Sequence, residues 1–161
     1  MTGDLAAQVE RLGRQVDLLK AEAAVHRLKR RYAQLCDEGY DGAALAALFA
    51  PDGSWSSDHD GPFTGRAAIA DFLATVGADR FSWAAHYLAN GSVDIDLDAG
   101  TADGRWELVQ LATDRRAAPG PAGSVVATGT YRDRFVCVDG AWLIASLELR
   151  LHRLTDLGAG W

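Results

Sequence analysis

The chain has 161 residues, with 16 Lys and Arg against 22 Asp and Glu, a net charge of −6, and 48% hydrophobic residues. That is one domain's length with enough apolar material for a core, and an acidic balance without an isolated basic cluster speaks against nucleic acid or an anionic membrane as partner. No apolar run reaches membrane-spanning length and no basic-then-apolar leader is visible, so a cytoplasmic protein is expected; Cys36 and Cys137 lack metal-ligand spacing and read as reduced core thiols, a buried disulfide being the alternative.

Residues 4–35 are helical in pattern. Leu5, Val9, Leu12, Val16 and Leu19 step by four and three, which is heptad spacing. This N-terminal stretch either docks on its own domain or packs against another subunit; the spacing leaves both open. The helix continues through Val25, Leu28 and Tyr32 to a C-cap at Gly39. Ala33, Cys36, Asp37 and Tyr40 share one flank, which leaves a single carboxylate in nearly apolar company. Asp37 there opposes the helix dipole, so something should compensate for it. A second short helix, 42–49, is closed by a Pro51–Gly53 turn. Ser54–Ser56 opens a strand, Asp60-Gly61 turns a hairpin, and a third helix, 67–76, buries Ile69, Phe72, Leu73 and Val76.

The stretch from Phe81 to Leu97 alternates with period two. Ala84, His86, Leu88 and Asn90 share one face, and after Gly91 the apolar parity switches to Val93, Ile95 and Leu97. A parity switch at glycine predicts a bulge in a long bent strand. Residues 105–113 form the next strand, with Trp106, Leu108 and Gln110 on one face. A Gly/Pro-rich loop spans 114–124. Strand 125–138 carries Ala127, Gly129, Tyr131, Asp133 and Phe135 on one parity, Asp139-Gly140 is a hairpin turn, and 141–151 is the last strand before a tail ending at Trp161. Helices first and strands after predict an α+β fold, a bent antiparallel sheet over three helices with a conical pocket between. The expected organisation is a helical extension at 1–23, a domain at 24–153 and a tail at 154–161.

The ordered set Tyr32, Asp37, Gly39, then Leu48 to Gly53 and Trp55, then Gly65-Arg66 and Phe72-Leu73, then His86-Tyr87 and Asn90, then Gly129, Tyr131, Asp133 to Val136, Asp139-Gly140 and Trp142 resembles the SnoaL-like branch of the nuclear-transport-factor-2-like (NTF2-like) superfamily. The resemblance covers about residues 24–152. It implies the cone-shaped fold and relatives such as scytalone dehydratase, bile-acid 7α-dehydratase, hexachlorocyclohexane dehydrochlorinase, polyketide cyclases and ring-hydroxylating dioxygenase β subunits. It further implies a catalytic pair Asp37 and His86, with Tyr32 as a third catalytic residue. Trp55, Phe81, Leu108, Gln110, Tyr131 and Leu147 are expected along the substrate. One departure stands out. Leu147 occupies a position where several of these lyases carry an inward Arg, and Arg150 has the opposite parity.

In this reading Asp37 orients His86, which abstracts a proton without a cofactor or metal. The expected activity is a dehydratase, cyclase or isomerase acting on a polycyclic or aromatic hydrophobic molecule, polyketide- or steroid-like. The alternative is a non-catalytic ligand-binding module or a dioxygenase β-type structural subunit. The outer sheet parity (Tyr87, Val109, Leu111, Val126 and Trp142 or Leu143) is too apolar for a solvent face. A homo-oligomer is therefore expected, and the resemblance favours a trimer over a dimer.

Overall fold

The computed structural model describes residues 2–116 and 123–156, with side chains from Asp4 onward; the 117–122 part of the Gly/Pro-rich loop and Trp161 lie outside the described residues. Helix α1 (Thr2–Asp37) leads to a short α2 (Gly42–Ala46), a hairpin of β1 (Phe49–Ser57) and β2 (Phe63–Thr64), and α3 (Arg66–Thr75). A π-helical turn, Val76–Arg80, joins α3 to four long strands: β3 (Phe81–Asp96), β4 (Thr101–Asp114), β5 (Ser124–Val138) and β6 (Ala141–Asp156). β6 thus runs five residues past the expected strand end. The fold is α+β and NTF2-like, with helices preceding one six-stranded sheet of order β2-β1-β6-β5-β4-β3.

The sheet is mixed where an antiparallel one was expected. β1 runs parallel to β6, pairing Phe49 with Ile144 and Trp55 with Leu147, while every other neighbouring pair is antiparallel. The pairing begins where the Ile144 amide donates to the Leu48 carbonyl at 2.9 Å, just before β1. The Pro51–Gly53 turn becomes an irregularity within β1, between its pairs at Phe49 and Ser54. Arg66 at the start of α3 donates from Nε to the Phe49 carbonyl at 2.8 Å, tying that helix to the edge.

The bulge at Gly91 is present. β3 shifts register against β4 between Ala89 and Ser92, and Asn90 has φ 51°. A Cβ at Gly91 would collide with the Trp106 indole, so glycine lets the bent strand close over that ring. Inward β4 residues Ala102, Trp106, Leu108, Gln110 and Ala112 are buried, as are Val125, Ala127, Tyr131, Asp133 and Phe135 of β5. They meet Val25, Tyr32, Leu35 and Cys36 of α1, which recur at helical spacing on one side.

One buried contact is ionic. Lys29 of α1 and Asp133 of β5, both fully buried, lie 2.7 Å apart, and neither has another hydrogen-bonding partner among the described residues. The Lys29 ammonium also sits 3.4 Å from the centre of the Tyr131 ring. Burial pushes the Lys29 pKa down and the Asp133 pKa up, each opposed by the attraction of the other. Cys36 is buried and Cys137 half-buried, and both are free thiols.

Candidate active site

The end of α1 sets the geometry. The amide of Gly39 (φ 105°) donates to the Cys36 carbonyl and that of Tyr40 to the Leu35 carbonyl, the paired bonds of a Schellman cap. Asp37 occupies the last helical position, and Tyr40, three residues beyond it with φ 59°, folds back over the cone. Asp37 accepts the backbone N–H of His86 at 3.0 and 3.2 Å, and its Oδ1 lies 2.6 Å from His86 Nδ1. Three contacts to one carboxylate fix both backbone and ring of His86. They also supply the compensation that an acid at a helix C-terminus requires.

A carboxylate only accepts hydrogen bonds, so the proton at this contact belongs to Nδ1, and in the neutral imidazole Nε2 is then bare. Nε2 points toward the cone's interior, and the imidazole is only 5% exposed. The Tyr40 hydroxyl lies 3.3 Å from Nε2 and also accepts from the Gln110 amide at 3.5 Å. Across the cavity the Tyr32 hydroxyl accepts from Trp55 Nε1 at 2.8 Å, which leaves its own proton to donate. The Tyr131 hydroxyl has no protein partner among the described residues. Burial holds the pKa of Tyr32, Tyr40 and Tyr131 well above the usual phenol value, so all three remain donors across the ordinary pH range. Burial likewise pushes the Cys36 thiol up to about 12.

These groups surround a cavity of about 70 Å³. The expected residues Tyr32, Trp55, Phe81, His86, Gln110 and Tyr131 line it. Asp37 sits behind His86, in a shallow groove on the other side. Leu108 and Leu147 do not line the cavity. Both are packed deeper in the apolar core, and Leu149 and Leu151, further along β6, reach the wall instead. The reason is the cone's taper, which closes β6 onto the helices around Leu147 and opens it only from Leu149 onward. Trp83, Tyr87 and Arg150 are exposed.

Tyr40 and Arg80 are among the wall residues not expected from the sequence. Tyr40 shares the flank of Asp37 at helical spacing, but its place on Nε2 depends on the cap that follows the helix. Arg80 ends the π turn. Its Nε is buried 3.6 Å from Asp114 Oδ2, has no hydrogen-bond partner among the described residues, and its guanidinium lies 4.9 Å from the Phe81 ring centre. A cation therefore borders the cavity from the helical side, although the last strand supplies none. Among the described residues no group of three or more His, Cys, Asp or Glu side chains is placed to hold a metal ion, and no helix is long and apolar enough to cross a membrane.

A family model described as SnoaL-like domain matches residues 17–148. No curated protein sequence matches the chain. Among solved structures, a putative scytalone dehydratase from Novosphingobium aromaticivorans is 26% identical, with 89% of this chain and 91% of that one covered and a TM-score of 0.75. Hexachlorocyclohexane dehydrochlorinase LinA-type3 from Novosphingobium barchaimii superposes with a TM-score of 0.79 over 91% of this chain and 96% of its own, at 22% identity, a likeness of fold. An NTF2-like protein with a cystatin-like fold from Novosphingobium aromaticivorans gives 0.69 at 25% identity, with 92% of each chain covered.

Proposed function

The chain belongs to the SnoaL-like domain family, whose members include dehydratases and dehydrochlorinases, and from that footing we propose that it is a cofactor-independent lyase in which His86 is the base. The observation that carries this reading is the 2.6 Å contact between Asp37 and His86 Nδ1, with Nε2 turned into an aromatic-lined cavity. Nε2 takes a proton from a substrate carbon, the C–H electron pair forms the new double bond, and the leaving group departs with its own bonding pair. If hydroxide leaves, the proton on Nε2 can be returned to it, so water is released and His86 is regenerated. Tyr32 and Tyr131 donate to the oxygen where negative charge develops, and Gln110 holds Tyr40 at the base. Asp37 acts through His86 and is a positioning residue. Isomerisation or ring closure would use the same groups.

The substrate class that fits is a hydrophobic ring compound with an acidified C–H. A cavity of about 70 Å³ is roughly half the 150 Å³ or so that takes a benzene ring, so a ring enters only if the cavity widens. This favours a single-ring substrate over a polycyclic one. The small cavity, with Tyr40 across Nε2, also supports a second reading, a ligand-binding module without turnover. Incubation in D2O with a panel of cyclic ketones, β-hydroxyketones and halides separates the two. The enzyme reading expects deuterium incorporation or elimination that His86→Ala lowers by about 10²-fold or more. Binding without exchange or elimination, unchanged by His86→Ala, would leave the module.

A further inference from the structure

The heptad stripe of α1 has no partner within its own chain. Leu5, Val9, Leu12, Val16 and Leu19 are 64%, 61%, 54%, 46% and 65% exposed. The same helix is held to its domain by Arg14, which binds Asp98 through two hydrogen bonds of 2.7 and 3.0 Å, and then by the buried residues Ala21, Val25, Tyr32 and Cys36. Successive residues turn by about 100°. On that count the stripe lies about half a turn from the side carrying Arg14, Ala21 and Val25, and so points away from the domain. Docking on the chain's own domain, one of the two sequence expectations, does not occur for this face. Among the described residues no other helix offers a second seam: α2 has five residues, and α3 buries Ile69 and Leu73 in its own core.

We propose that residues 5–19 form a parallel two-stranded coiled coil with the same segment of a second copy of this chain. The residue types select that occupant. Val9 and Val16 fall at the a positions and Leu5, Leu12 and Leu19 at d, and β-branched a with leucine d favours two parallel strands. The flanks do not oppose it. The e positions are Ala6, Gly13 and Lys20, and the g positions are Gln8, Gln15 and Glu22, so no like charges meet across the seam. A parallel pairing sets Gln15 against Lys20 of the other copy. Just beyond the seam it sets Glu22 against Arg27, an attractive pair. The next a and d positions carry Ala23 and His26 in place of valine and leucine, and the His26 ring packs edge-on against Trp106 of its own domain. The seam therefore ends where the helix enters its domain.

The seam is separate from the sheet face and from the active site, so its test does not depend on the proposed reaction. Light scattering on the full-length chain at high micromolar concentration is compared with Leu12→Glu/Leu19→Glu, both at exposed positions, with circular dichroism to verify the fold. Both are measured in a Tyr87→Lys background, which removes any sheet-face contact, and the expected result is a dimer mass without the two helix substitutions and a monomer mass with them. Equal masses with an intact fold overturn the proposal. The direction is read by oxidising Leu19→Cys in a Cys137→Ser background. Parallel strands bring residue 19 of both copies together and give a cross-linked dimer. Antiparallel strands put residue 19 against residue 5, about 21 Å away along the axis, so the absence of a cross-link overturns the parallel arrangement.

Discussion

Asp37 meets His86 at both the backbone and the ring, so its replacement affects orientation as well as charge. Asp37→Asn places an amide donor against Nδ1, favours the opposite tautomer and should lower turnover by about 10²-fold or more, with little change in apparent substrate binding. A variant that raised KM alone would contradict the positioning role. Tyr40→Phe removes the hydroxyl between Nε2 and Gln110 and tests whether that group only fills the empty site or also aids the reaction. In the first case turnover is unchanged or raised, and a loss of about 10²-fold would mark it as a donor to developing charge. Cys36 and Cys137 should separate by reactivity. With its pKa near 12 and its sulfur buried, Cys36 is expected to resist alkylation at pH 8 in the folded protein and to react only on unfolding. Mass spectrometry of the labelled sites measures this. At this scale Asp37 and His86 were legible because family spacing names both. Tyr40 and Arg80 were not, because a residue past a Schellman cap and one ending a π turn have directions set by the local backbone, which periodicity does not encode.

The bulge of β3 was readable because alternation breaks visibly at Gly91. The parallel pairing of β1 with β6 was not, since nothing local to Ser54–Ser56 records which edge it meets or in which direction. The Lys29–Asp133 pair lies between these cases. Lys29 is spaced with Val25 and Tyr32 on the buried side of α1, and Asp133 shares the parity of Tyr131 and Phe135, so each sat on an inward face without its partner being evident. The pair joins the central helix to the sheet beneath the cavity wall. Lys29→Met alone leaves a buried, unpaired carboxylate and should cost about 3–5 kcal/mol. Lys29→Met/Asp133→Leu should recover most of that loss. Urea unfolding at pH 7 gives both values, and equal loss in the single and double variants would show that shape, not charge, holds the contact.

Across the whole molecule, the outer sheet face is divided. Tyr87 and Val109 are 59% and 40% exposed, near half-buried Leu111 and Val126, while Asp103, Arg105, Glu107, Arg132, Arg134 and Glu148 make the neighbouring area charged. Of Trp142 and Leu143, the alternatives for the outward parity of β6, Trp142 packs partly against the core. A sheet-face homo-oligomer remains our proposal, centred on Tyr87 and Val109, and Tyr87→Lys should dissociate it in light scattering without unfolding the subunit. The three buried tyrosines also predict a pH limit. Their folded pKa values are raised, so above about pH 10 the unfolded chain loses these protons first. Their contribution to stability is full below that pH and falls as pH rises further, which urea midpoints at pH 9 and 11 would register. The proposed chemistry depends on the position of one proton. In 15N-resolved NMR of the imidazole rings, His86 should carry its proton on Nδ1, in a strong hydrogen bond that Asp37→Asn abolishes, with Nε2 unprotonated beside the Tyr40 hydroxyl. A His86 protonated on Nε2, or an Nδ1 signal indifferent to Asp37→Asn, would contradict it.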